Sequence, residues 1–77
     1  MTNEYFQVDR QELLAWNRGL VCTMKQINGS KRVYVVDKER CQKAYDLMKA
    51  GLTVLLTHCE NVPVSLAHLE NNKLVEE

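Results

Sequence analysis

Between Arg32 and Thr57 the chain spells strand, helix and strand, each boundary marked by a residue suited to it. Val33-Tyr34-Val35-Val36 is a β-branched and aromatic run, the composition that a pleated, half-buried surface favours. Asp37 follows where a helix N-cap is needed, its carboxylate able to accept from the unpaired amides of the next turn. Cys41, Ala44, Tyr45 and Met48 then recur at i, i+3, i+4 and i+7, which lays one apolar stripe along a helix. Gly51 stands at the position where a left-handed residue ends a helix, with Leu52 placed to touch Leu47. Leu52 to Thr57 is nearly continuous in apolar character and reads as a second, central strand. This stretch specifies a piece of fold and leaves function open.

The flanking segments extend the pattern. Tyr5-Phe6-Gln7-Val8 reads as a short first strand. Asp9 and Glu12 form a capping-box pair, and Val8 and Leu13 occupy the staple positions around it. They open a helix through Leu13, Leu14 and Trp16 to Asn17, closed by Gly19. Leu20 to Ile27 and Lys31 to Val36 are strand-like runs joined by Asn28-Gly29-Ser30, a hairpin signal because both Asn and Gly tolerate positive φ. On the first arm Leu20, Cys22 and Met24 form the apolar face. After Thr57 the chain turns at His58 to Asn61. Leu66, Ala67 and Leu69 then favour a short helix from about Pro63 to Glu70, ended by Asn71-Asn72. Residues 62–77 form a C-terminal appendage, helical or strand-like.

The resulting order is β-α-β-β-α-β plus this appendage. It predicts an α+β fold: a small ferredoxin-like sandwich in which two helices cover one face of a four-stranded antiparallel sheet. A winged helix is disfavoured because only one short helix precedes the hairpin. Residues 1–77 make a single domain with a flexible start at residues 1–3, and 77 residues bury only a small core.

Ten Lys plus Arg balance ten Asp plus Glu. A neutral chain lacks the overall charge from which duplex binding draws much of its affinity, so nucleic acid is a disfavoured partner. The charges are nevertheless segregated. Lys25, Lys31, Arg32, Lys38, Arg40, Lys43 and Lys49 outnumber the acids of the middle of the chain, whereas Glu60, Glu70, Glu76 and Glu77 face one Lys at its end. The apolar runs are far shorter than the roughly twenty residues of a membrane helix, and the first residues do not resemble a signal peptide. Three cysteines, Cys22, Cys41 and Cys59, make an odd and sparse set, which reads as reduced thiols in a cytoplasmic protein.

Candidate chemistry is thin. His58-Cys59-Glu60 gathers a thiol, an imidazole and a carboxylate, but neighbours on a strand point to opposite faces. Zinc sites announce themselves by closely spaced ligand pairs, and neither C-x-x-C nor H-x-x-x-H occurs, so no metal site is expected. Gly19, Gly29 and Gly51 are isolated and make no phosphate-cradling loop. No catalytic residue and no cofactor is assigned.

The remaining surface is the sheet. An open sheet face with aromatic residues binds RNA bases in some small domains, and Tyr5 and Tyr34, with Lys25 and Arg32 beside them, suit that use. The same face serves protein partners when it is apolar. With Leu20, Cys22 and Met24 facing the core, Val36, Val21 and Ile27 would form such a patch, and Trp16 is either a partner anchor or a plug in the core. The expectation is a non-enzymatic protein-binding inhibitor or regulator that takes a protein partner or a second copy of itself. Trp16, Lys25, Lys31, Arg32, Tyr34 and Val36 are the candidate contact residues. The alternative is a nucleic-acid-binding regulator using the basic hairpin and the sheet aromatics. A third class, a small thiol enzyme, requires a reactive cysteine.

Overall fold

A computed structural model describes residues 5–58 and 62–77 of the protein. The expected start at residues 1–3, and Cys59 and Glu60 of the His58-Cys59-Glu60 cluster, lie outside the described residues. In chain order the elements are β1 (Gln7–Asp9), α1 (Arg10–Asn17), β2 (Cys22–Ile27), β3 (Ser30–Val35), α2 (Lys38–Lys49), β4 (Val54–His58), β5 (Val62–Glu70) and β6 (Lys73–Glu76). The fold is α+β, with the βαββαβ order of a ferredoxin-like core and two strands in place of one at its C-terminal end.

Local signals act as their chemistry dictates. The Asp9 and Asp37 carboxylates accept from the amides of Glu12 (3.2 Å) and Arg40 (3.1 Å), capping α1 and α2. Each such cap is worth about 1 kcal/mol. Both helices end in a Schellman motif. The amides of Leu20 and Leu52 reach back to the carbonyls of Ala15 (2.8 Å) and Leu47 (3.0 Å), while Gly19 and Gly51 take φ of +79° and +89°. A side chain at either glycine would be strained in that conformation. Asn28 and Gly29, at φ of 51° and 80°, close the β2–β3 hairpin through a two-residue turn between the paired Ile27 and Ser30.

Strand pairing departs from a single antiparallel sheet of the first four strands. β4 lies centrally between β1, which runs parallel to it, and β5, with β6 beyond; β2 and β3 pair only with each other. The edge of β4 is taken by the strand that follows it after a short connection, and closing a short loop costs less entropy than docking a distant hairpin. The helix expected from Pro63 to Glu70 is instead the nine-residue strand β5. Apolar residues on both of its faces mimic helical spacing: Ala67 and Leu69 turn to the core, Leu66 to the other side. Pro63 sits opposite Thr57, where the ladder is already irregular, so its missing N–H disturbs little.

The core lies between one sheet face and the two helices. Val8, Val54, Leu56 and Ala67 meet Leu13 and Ala15 of α1 and Cys41, Ala44 and Met48 of α2. Val36, between the hairpin and α2, is also in this core and only 3% exposed, so it offers no partner-binding surface. Its placement follows from alternation along the arm: Val33 and Val35 face solvent, so Val36 turns inward, its amide still donating to the Val21 carbonyl at 2.8 Å.

Candidate functional site

A cleft of about 320 Å³ opens beside the C-terminal ends of the parallel strands β1 and β4. Asp9 stands at one lip, where β1 gives way to α1, and Thr57 and His58 at the other. Lys25 reaches in from β2. Its Nζ lies 2.7 Å from Asp9 Oδ2 and 3.7 Å from Glu12 Oε1, with the Lys25 and Asp9 side chains only 11% and 15% exposed. Tyr34 of β3 lies beneath the same ammonium, 5.1 Å from ring centroid to Nζ, a cation–π distance. On the α2 side the Arg40 guanidinium stacks over Phe6 at 4.8 Å and donates to the Gln7 carbonyl at 2.7 Å.

These groups answer one another. Asp9 serves at once as the cap of α1 and as the partner of Lys25. Burial raises the Glu12 carboxyl above its ordinary range, against the opposing pull of Lys25. Lys25 therefore ties the hairpin to the start of α1. Hydrogen bonds between charged groups of this kind contribute on the order of 1.5–3 kcal/mol. The Cys41 thiol, inside the core nearby, is pushed up to about 11 by burial and by Glu12, Asp37 and Asp9, the opposite of what a nucleophile needs. Among the described residues, no three His, Cys, Asp or Glu side chains come together to hold a metal ion.

The sequence-derived contact residues separate into different surroundings. Lys25 and Tyr34 face the cleft, and Lys25 is bonded there. Trp16 is half-buried and packs against the core. Lys31 and Arg32 are exposed near the hairpin tip. The Leu20, Cys22 and Met24 face of the first arm, expected inward, is the solvent face.

Sequence reasoning missed that solvent face. Cross-strand pairs Cys22/Val35 and Met24/Val33 share one side of the hairpin, continued toward the tip by Lys31. Met24, Val33 and Val35 are 59%, 66% and 79% exposed, and Leu20 and Val21 extend the patch at its base. Alternation alone shows two faces, one with Cys22, Met24, Val33 and Val35 and the other with Thr23, Lys25, Arg32 and Tyr34. The second face turns inward because Lys25 has two carboxylates to meet there.

A second apolar strip lies on the sheet face opposite the helices. Leu55 pairs with Leu66, and His68 with Val75, all four half-buried. Glu70 and Glu77 frame it, their carboxylates 3.8 and 3.5 Å from the His68 ring nitrogens. Among the described residues, no helix is long and apolar enough to cross a membrane. No protein-family model, curated protein sequence or solved structure matches the chain.

Proposed function

We propose that this chain is a non-enzymatic protein-binding module of the cytoplasm, an inhibitor or regulator that engages its partner through the outer face of the β2–β3 hairpin. The observation that carries the reading is the ladder of Cys22, Met24, Val33 and Val35, apolar and turned to solvent on a two-stranded element. Contiguous exposed apolar surface of this kind marks interaction sites. An isolated two-stranded hairpin is marginal in water, so covering its outer face also stabilises the element itself.

Lys31 and Arg32 at the hairpin tip support the nucleic-acid alternative, and one experiment separates the two readings. Affinity capture from native lysate, with and without nuclease, is expected to retain a defined protein in both arms. A catch that disappears with nuclease, and weakens steeply as salt rises, would replace protein by nucleic acid as the ligand.

A further inference from the structure

We infer that the cleft at the carboxyl ends of β1 and β4 binds a small organic anion, a carboxylate or phosphate monoester carried on an apolar or aromatic body. The hairpin closes this cleft with its inner face, through Lys25, Ile27 and Tyr34. The site is therefore separate from the outer face that carries the protein-binding reading.

Position, charge and shape point the same way. In sheets with parallel strands, ligands collect in the crevice outside the carboxyl ends, where loops and helix starts converge. Here β1 and β4 are the parallel pair, and a cleft of about 320 Å³ is large enough for a small molecule. The carboxylates around it are already engaged. Asp9 and Glu12 face the Lys25 ammonium, and Asp37 caps α2. Burial also holds the Glu12 carboxyl toward its neutral form, which lessens the negative charge an incoming anion meets.

The hydrogen-bonding groups left over are mainly donors. Arg40 spends its Nε on the Gln7 carbonyl, and its Nη groups have no partner among the described residues. That bond and the stacking on Phe6 hold the guanidinium at the lip, its fork pre-organised for a two-point contact with carboxylate or phosphate oxygens. Lys43 lies over the same ring at 5.3 Å and adds positive charge beside it. Arg32, cross-strand from Lys25 on the inner face of the hairpin, is a further exposed cation. His58 stands exposed at the other lip, also without a partner among the described residues. Ile27 and the Tyr34 ring supply the wall against which an apolar body can lie.

Chemical-shift titration of the isotope-labelled full chain tests this with four probes. Phenyl phosphate and benzoate are aromatic anions, benzylamine carries a cation on the same ring, and inorganic phosphate is an anion without a ring. At least one aromatic anion should give saturable shifts at the amides of Asp9, Tyr34 and Arg40, with a Kd in the millimolar range or below. Which of the two binds tighter tells a phosphate site from a carboxylate site. Benzylamine and inorganic phosphate should each bind at least about 10-fold more weakly, one for its charge and the other for want of a ring. This comparison is made on the wild type and stands without any variant. Arg40→Gln should weaken binding of the aromatic anion by about 10-fold or more, and Arg40→Lys, which keeps the charge and loses the fork, should restore only part of it. Lys49→Gln removes the same charge at the far end of α2 and should bind as the wild type does. No saturable shift with either aromatic anion, benzylamine or inorganic phosphate binding as tightly, or a folded Arg40→Gln that titrates like the wild type overturns the inference.

Discussion

At the scale of single residues, titratable groups around α1 report how the hairpin is held. Burial favours the neutral form of Glu12 in the folded protein, so its pKa lies above the ordinary 4.5. A raised acid pKa contributes stability that is fully present below the unfolded value and lost as pH rises through the folded one. Wild type should therefore gain stability relative to Glu12→Gln as pH falls from 7 toward 4.5, which urea unfolding at several pH values will show. A difference between the two that is flat with pH would mean that Glu12 is not held in this way. Cys41 follows the same sign at alkaline pH. Its thiol stays protonated in the fold between 9.0 and about 11, so stability falls as the unfolded state ionises above pH 9. In a Cys59→Ser background, exposed Cys22 should react with a thiol reagent within the mixing of an ordinary assay at pH 8, and Cys41 only on unfolding. Rapid labelling of Cys41 in the folded state would reopen the thiol-enzyme class.

At the scale of elements, the caps and turns were legible because each depends on two or three adjacent residues. Asp9, Asp37, Gly19, Gly51 and Asn28-Gly29 all act where their chemistry places them. The C-terminal strands were not, because Leu66 and Leu69 fit both helical spacing and a strand with apolar residues on each face. The missed signal was Asn71-Asn72. Their φ values of 51° and 64° form a second two-residue turn between paired Glu70 and Lys73, and asparagine is the commonest non-glycine residue to accept such angles. Asn72→Ala should thus cost about 1 kcal/mol in denaturant unfolding, and Asn72→Gly should cost nothing or stabilise. Equal stability of the Ala variant and the wild type would contradict the turn.

At the scale of the whole molecule, element order was readable and strand pairing was not. Local patterns say that a segment is a strand, whereas its neighbour is decided by competition among distant surfaces. Here β5 takes the free edge of β4, and Lys25 turns the hairpin toward α1. That one inward lysine also decides the candidate site. It withdraws Lys25 and Tyr34 from the surface, and presents Met24, Val33 and Val35 in their place. Val36 falls into the core by the same alternation. The Arg10–Glu76 pair, 2.9 Å apart, fastens the last strand to α1, so the C-terminal end is part of the fold on which the hairpin is mounted.

The most direct test of the central claim is a paired capture from nuclease-treated native lysate, with wild type and Val33→Lys/Val35→Lys as bait and equal melting temperatures verified beforehand. The hairpin reading predicts a defined protein on the wild type that is lost from the variant. The same protein retained equally by both baits would contradict it and move the binding surface off the hairpin.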